Sequence, residues 1–199
     1  MATKTLILIT GANQGLGYYT AQQLAGTGKY QVLLGSRDFS KAEKAIESLI
    51  ADDSVKVDGK DLEPIQIDIN DDDSIEAAAK KIDDKYHKLD ILLNNAAVAF
   101  PEEEPYKAGG ATLRKFLRQN YETNVFGTVL AAEAFIPLLR KGDKRLAFTS
   151  SSVGSLHAAK EDNLASGVSP TFPGGRRGSP CRSLIKTRST LHTALLSPL

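Results

Sequence analysis

Residues 5–17 read Thr5-Leu6-Ile7-Leu8-Ile9-Thr10-Gly11-Ala12-Asn13-Gln14-Gly15-Leu16-Gly17. The apolar run Leu6–Ile9 carries no polar alternation, which suits a strand buried on both faces of a parallel sheet. It is too short for a membrane span or a secretory hydrophobic region. Glycines follow at Gly11, Gly15 and Gly17, and a helical pattern begins behind them. A strand that ends in a glycine turn and opens a helix is an arrangement that receives a dinucleotide. Gly11 permits a sharp turn, Gly15 removes the side chain that would block a pyrophosphate, and Gly17 lets the helix pack closely. The helix N-terminus then offers free N–H groups to the anion. The spacing is G-x-x-x-G-x-G rather than the G-x-G-x-x-G of longer dehydrogenases. Taken alone, the stretch also reads as a glycine turn that merely joins a strand to a helix.

Outward from this stretch, strands and helices alternate. The first helix is expected from Leu16 to Gly26, with Leu16, Tyr19, Thr20 and Leu24 near one face, and Gly26-Thr27-Gly28 closes it. A second strand at Gln31–Leu34 runs into Gly35-Ser36-Arg37-Asp38. A helix over Phe39–Ile50 follows, its buried stripe being Ala42, Ala45, Ile46, Leu49 and Ile50. Asp52–Glu63 reads as a loop and Pro64–Asp68 as a third strand. Asn70-Asp71-Asp72-Asp73 supplies N-cap candidates for a helix at Ser74–Tyr86. Leu89–Leu93 is a fourth strand, leading into Asn94-Asn95-Ala96-Ala97. After the loop Phe100–Gly110, a long helix near Thr112–Arg140 repeats Leu113, Phe116, Leu117, Asn124, Val125, Thr128, Ala132, Phe135 and Leu139 at helical spacing, with Pro137 placed to kink its last turn. Arg145–Thr149 is a fifth strand and ends in Ser150-Ser151-Ser152. The expected fold is therefore an α/β, Rossmann-like, doubly wound parallel sheet of about five strands with right-handed crossovers.

The 199 residues fit one domain. A net charge of +1 points to neither a nucleic-acid nor a membrane partner. That balance hides an asymmetry. Residues 1–162 hold 20 of the 25 cations and all 24 acids, a net −4, whereas the remainder holds Arg176, Arg177, Arg182, Lys186 and Arg188 and no acid. The single cysteine, Cys181, excludes an intrachain disulfide framework and fits a reducing compartment, so a cytoplasmic location is expected. His87, His157 and His192 lack metal-ligand spacing and are expected at the surface.

Four motifs carry a resemblance. Thr10–Gly17 resembles the T-G-x-x-x-G-x-G fingerprint of the short-chain dehydrogenases/reductases. Asn94-Asn95-Ala96-Ala97 resembles their N-N-A-G, with alanine in place of glycine. Thr123-Asn124-Val125-Phe126-Gly127 resembles their N-V-x-G segment, and Ser150-Ser151 their paired serines. The order is preserved over about 155 residues. Ala12-Asn13, Ser36-Arg37-Asp38, Asp68-Ile69 and Ala96–Phe100 are most similar to the carbonyl reductase branch, which reduces ketones or aldehydes.

The resemblance implies cofactor contacts from Gly11, Asn13, Gln14, Gly15, Leu16, Gly17, Ser36, Arg37, Asp68, Ile69, Asn95 and Ala96. Arg37 follows the second strand, where an adenosine ribose would lie, and a guanidinium suits a 2′-phosphate. Asp38 comes one residue late for the carboxylate of an NAD enzyme, so NADP (NADPH) is expected over NAD. Arg37 as a solvated surface charge is the blander reading. Asp68 is placed either to accept from the adenine amino group or to cap the next helix. Asn95 and Ala96 would lie along the nicotinamide. Asn124, on the apolar stripe of its helix, reads as a buried amide with a structural hydrogen bond. The resemblance gives it a water that relays protons to a catalytic lysine. Ser151 would hold the carbonyl oxygen of a small-molecule substrate.

The resemblance stops after the serines. Family chemistry uses a tyrosine acid whose pKa is lowered by a lysine four residues later. The tyrosines here are Tyr18, Tyr19, Tyr30, Tyr86, Tyr106 and Tyr121, and none has a lysine at that spacing. Ser166–Leu199 is rich in Ser, Pro, Gly, Thr and Arg, lacks acids, and is expected to be disordered. A basic interaction tail is one reading; a shifted reading frame or misplaced intron boundary after about Leu164 is the other. The expected organisation is a dinucleotide-binding domain over 1–164 and a disordered or aberrant tail over 165–199. The chain is expected to be an inactive or impaired reductase, or a non-catalytic NADP-binding protein, or an unstable truncated product. Its oligomer interface is expected to be incomplete, and its fifth strand an open edge.

Overall fold

The computed structural model describes residues 4–98 and 109–150. In chain order the elements are β1 (Thr5–Ile9), α1 (Gly15–Gly26), β2 (Tyr30–Ser36), α2 (Phe39–Ala51), a 3-10 turn (Gly59–Asp61), β3 (Leu62–Gln66), α3 (Asp72–Tyr86) and β4 (Ile91–Asn94). There follow α4 (Gly110–Tyr121), a π-helical stretch (Glu122–Gly127), α5 (Thr128–Arg140) and β5 (Arg145–Phe148). The described residues fall into two compact units, one comprising 4–98 and 119–148 and the other containing 109–118. The first holds the whole sheet. Its strand order is β3-β2-β1-β4-β5, and every pairing is parallel. This is the Rossmann-like α/β sheet expected from the alternating pattern.

β1 shows why its sequence lacks alternation. Leu6 and Leu8 enter one core with Ile75, Ile82, Leu92 and Phe135. Ile7 and Ile9 enter the other with Ala21, Ala25, Ala42 and Leu49. Both faces are covered by helices, so both sets of side chains must be apolar. Among the described residues β5 has one neighbour, β4.

Several expectations are corrected. α1 buries Gly17, Ala21, Gln22 and Ala25, while Leu16 is 43% and Tyr19 62% exposed. The face is set by Gly17, which approaches the loop after β1 so closely that the residues one and two turns on must also be small. In α2 the buried residues are Ala42, Ala45 and Leu49, with Ile50 half exposed. β2 runs on to Ser36, and β3 lies at Leu62–Gln66 rather than Pro64–Asp68. β4 is Ile91–Asn94, and β5 stops at Phe148.

The long helical stretch departs most. It is interrupted at Glu122–Gly127 by π-helix, which admits an extra residue and rotates the face. Thr123 and Gly127 are buried there, whereas Asn124 and Val125 face solvent. Gly127 rests on the Ile69 carbonyl in space that a Cβ would fill. The expected stripe keeps Phe116, already fails at Leu117, is turned outward at Asn124 and Val125, and resumes through Ala132, Phe135 and Leu139. Pro137 lies inside α5, which continues to Arg140. Among the described residues no helix is long and apolar enough to cross a membrane, and no cluster of potential metal ligands occurs.

The acidic cluster before α3 caps it as expected, with the first helical residue at Asp72. Asp71 accepts from Asp73 N at 3.1 Å and from Ser74 N at 3.4 Å. Asp71→Ala is expected to lower stability by about 1 kcal/mol, read from the midpoint of a urea transition with unchanged slope.

Candidate functional site

The carboxyl ends of β1, β2, β3 and β4 form one edge. The strand order reverses between β1 and β4, where open α/β sheets leave a crevice. Two loops meet there and are tied together by Thr10 and Asn95. The Thr10 hydroxyl oxygen accepts from Asn95 N and Ala96 N, each at 3.0 Å. Asn95 Nδ2 donates to Thr10 O at 3.0 Å and to Gly11 O at 3.2 Å. Ala12 N donates to Gly35 O at 2.8 Å, which ties the glycine loop to β2 as well. Asn95 is thus a clasp between the β1 and β4 loops, and Ala96 is a backbone donor within it.

The three loop glycines answer to three different constraints. Gly11 has φ +63°, and a Cβ there would lie 2.8 Å from Ala96 Cα. At Gly17 a Cβ would lie 2.5 Å from Asn95 Nδ2 and 2.8 Å from Gly11 O. Gly15 has φ +61°, yet a Cβ there would meet nothing within 4 Å. Gly17 is therefore demanded by packing, Gly15 by backbone conformation beside open space, and Gly11 by both. Gln14 is the exposed N-cap of α1, in extended conformation and with no side-chain cap bond, and no acid stands in the first turn. The first N–H groups of α1, those of Gly15, Leu16 and Gly17, have no intrahelical acceptor. Asn13 is partly buried in the same loop.

At the end of β2, Ser36 is buried, and its hydroxyl accepts from Asp38 N at 3.3 Å. Arg37 is exposed and forms no ion pair with a described residue. Asp38 is the N-cap of α2. It accepts from Ser40 Oγ at 2.8 Å and from Lys41 N at 3.3 Å. The Ser40 bond first, and the backbone donation from Lys41, hold its carboxyl below the ordinary aspartate value. Such a group supports the folded state above its unfolded pKa, and that support is lost as pH falls through the lower folded value.

At the end of β3, Asp68 Oδ1 accepts from Asn70 N at 3.0 Å, and Asp68 N donates to Ser74 Oγ at 3.0 Å. The carboxylate shapes the turn before α3, while Asp71 caps the helix. Ile69 turns its side chain into the core, so only its backbone can face a ligand.

Asn124 corrects the reading of a buried amide. It is exposed, accepts from Val98 N at 2.8 Å and donates to Val98 O at 2.9 Å. The side chain imitates a strand edge and fixes the β4 loop to the π-helical stretch. Ser151, the second candidate for catalysis, lies outside the described residues, as do His157, His192, Cys181 and the whole 165–199 segment. Sequence reasoning gave no role to the Thr10 hydroxyl or to Val98. Thr10 was legible as part of the fingerprint, but Val98 is engaged through its backbone and leaves no mark in the sequence.

These elements can be compared with known proteins. A family profile described as short chain dehydrogenase matches residues 5–163. The chain belongs to the short-chain dehydrogenase family. Short-chain dehydrogenase anuI of Penicillium roqueforti is 43% identical over 160 residues, spanning 79% of this chain and 60% of that protein. Short-chain dehydrogenase/reductase tropE of Talaromyces stipitatus is 30% identical over 201 residues, 98% of this chain and 72% of that protein. Among solved structures, a menthone neomenthol reductase from Mentha piperita superposes with a TM-score of 0.65 and 29% identity, covering 80% of this chain and 66% of that one. The chain thus spans less than two thirds of the length of anuI.

The two kinds of loop glycine separate experimentally. Gly17→Ala is expected to cost about 1–3 kcal/mol through overpacking. Gly15→Ala should cost about 1–2 kcal/mol through its left-handed backbone alone. Denaturant melts of both variants against the parent chain measure this, and Gly15→Ala should retain the parent m-value.

Proposed function

We propose that this member of the short-chain dehydrogenase family binds a nicotinamide dinucleotide, NADP(H) in preference to NAD(H), at the carboxyl edge of β1–β4. The observation that carries the reading is the start of α1: an uncapped helix N-terminus, no acid in its first turn, and a left-handed Gly15 with open space above it. A pyrophosphate suits that place because the N–H groups point at it and the helix dipole favours its charge. Gly11, Asn13, Gln14, Gly15, Leu16 and Gly17 would line it, with Asn95 and Ala96 beside the nicotinamide. Asp68 and Ile69 would border the adenine, the latter through its backbone.

The preference for NADP(H) rests on the end of β2. Asp38, the acid nearest a ribose position, is engaged as the cap of α2, whereas Arg37 is exposed and unpaired with any described residue. Ser36 would support the same 2′-phosphate region through its bond to Asp38 N.

The chemistry we assign to the fold is reduction of a ketone or aldehyde to an alcohol, for which the dinucleotide supplies the hydride. Ser151 would hold the carbonyl oxygen. Asn124 would keep the β4 loop in place through Val98. A proton donor is the weak point, because no tyrosine of the 199 residues is followed four positions later by a lysine. On this reading the chain is an impaired reductase. The absence of that pair favours a second reading, a non-catalytic NADP-binding protein, since every proposed cofactor residue precedes Asn124.

Thermal-shift titrations distinguish these readings. NADPH at about a hundred times its Kd should stabilise the chain by about 2.7 kcal/mol, and NADH at the same concentration by clearly less. Arg37→Ala should weaken NADPH roughly 10–100-fold, the worth of a charge-assisted contact, and leave NADH nearly unchanged. Equal shifts from the two nucleotides would overturn the preference. Turnover of a simple quinone or dicarbonyl with NADPH is expected at least about 10²-fold below that of a reductase with the tyrosine acid; an ordinary enzyme rate would remove the claim of impairment.

A further inference from the structure

Asn94 is the polar residue that the site as described leaves unexplained. It is 5% exposed, and neither its Oδ1 nor its Nδ2 has a hydrogen-bond partner among the described residues. A buried amide in that state is costly, and native structures leave few without an explanation. A second unmet group lies nearby. The hydroxyl of Thr10, a residue 1% exposed, accepts two hydrogen bonds, but its own proton is donated to no described residue.

Strand register brings the two together. Leu8 is level with Leu92 and Ile9 with Leu93, and the ladder continues with Thr10 N donating to Leu93 O at 3.1 Å. Thr10 therefore stands level with Asn94. Leu8 and Leu92 share one core, whereas Ile9 and Leu93 share the other. Thr10 stands in the turn just after β1, and its hydroxyl reaches the backbone N–H groups of Asn95 and Ala96, the two residues that follow Asn94, so it lies beside the end of β4 where Asn94 sits. Neither amide atom of Asn94 takes up the Thr10 proton, so the two groups stand side by side without a direct bond.

We propose that a single internal water joins Thr10 and Asn94. It accepts the Thr10 hydroxyl proton and either donates to Asn94 Oδ1 or accepts from Asn94 Nδ2, which meets the Thr10 proton and one of the two unpaired amide atoms; two to four polar partners are what buried waters make. With its proton fixed, the Thr10 oxygen presents its lone pairs to Asn95 N and Ala96 N. Asn94 is thereby a positioning residue for the clasp between the β1 and β4 loops. The inference stands on the geometry of that clasp and does not depend on which dinucleotide, or whether any, binds above it.

A crystal structure of the full chain at about 1.8 Å, fine enough to place ordered water, tests it directly. The expected result is a density peak within hydrogen-bond distance of both the Thr10 hydroxyl and the Asn94 side chain. A direct Thr10–Asn94 bond, or an amide bonded elsewhere with no such water, overturns it. In solution, Asn94→Leu should lower the Tm, because it strands the water and the Thr10 proton. The Asn94→Leu/Thr10→Val double variant should lose less than the sum of the two single losses. Asn94→Ser, small enough to keep a water, should fall between the parent and Asn94→Leu. A rise in Tm for Asn94→Leu would mean a dry, unsatisfied amide and would overturn the proposal.

Discussion

The joining of the β1 and β4 loops is the constraint on which the candidate site depends. One hydroxyl, that of Thr10, receives two backbone N–H groups from the β4 loop. One amide, that of Asn95, returns two hydrogen bonds to the β1 loop. Because the exchange runs both ways, neither loop can move without breaking bonds to the other. Gly17 completes the arrangement by bringing α1 so near that Asn95 lies where its Cβ would be. The direction in which α1 points, and hence where its free N–H groups aim, follows from this contact.

The helix starts show how the same local chemistry serves two ends. α2 and α3 begin with aspartates that accept from their first N–H groups. Each is thereby neutralised within the chain. α1 begins with Gln14 and no side-chain acceptor. Its first N–H groups are oriented by the same helical geometry and are left for an acceptor from outside. At the carboxyl edge of the sheet the start of α1 is left uncapped while those of α2 and α3 are capped by aspartates.

Particular elements show how far the sequence could be read. The strand at Leu6–Ile9, the acidic cap before α3 and the glycine loop all fall where the residues placed them, because each is decided by neighbours in sequence. α1 leaves Leu16 and Tyr19 outside although they are large and apolar, because its packed face is filled by Gly17, Ala21 and Ala25 at close range. Asn124 departs from its helical spacing for a related reason. Helical spacing put it inside, but the π-helical stretch turned it out toward the Val98 backbone. Periodicity counts residues at a fixed angle, and an inserted residue changes the angle.

By itself the sequence determined the class of the fold, the order of strands and helices, and the glycine positions that require missing side chains. Those properties follow from burial pattern and backbone sterics, which are local. Only the tertiary structure decided what each candidate residue touches. It gave Asp38 to the cap of α2, Asp68 to a turn, Asn95 to a clasp and Asn124 to a backbone edge, and left Arg37 facing solvent. The physical reason is that a polar side chain takes the nearest unmet donor or acceptor. Which group is nearest depends on chain segments up to 86 residues apart, as between Thr10 and Ala96.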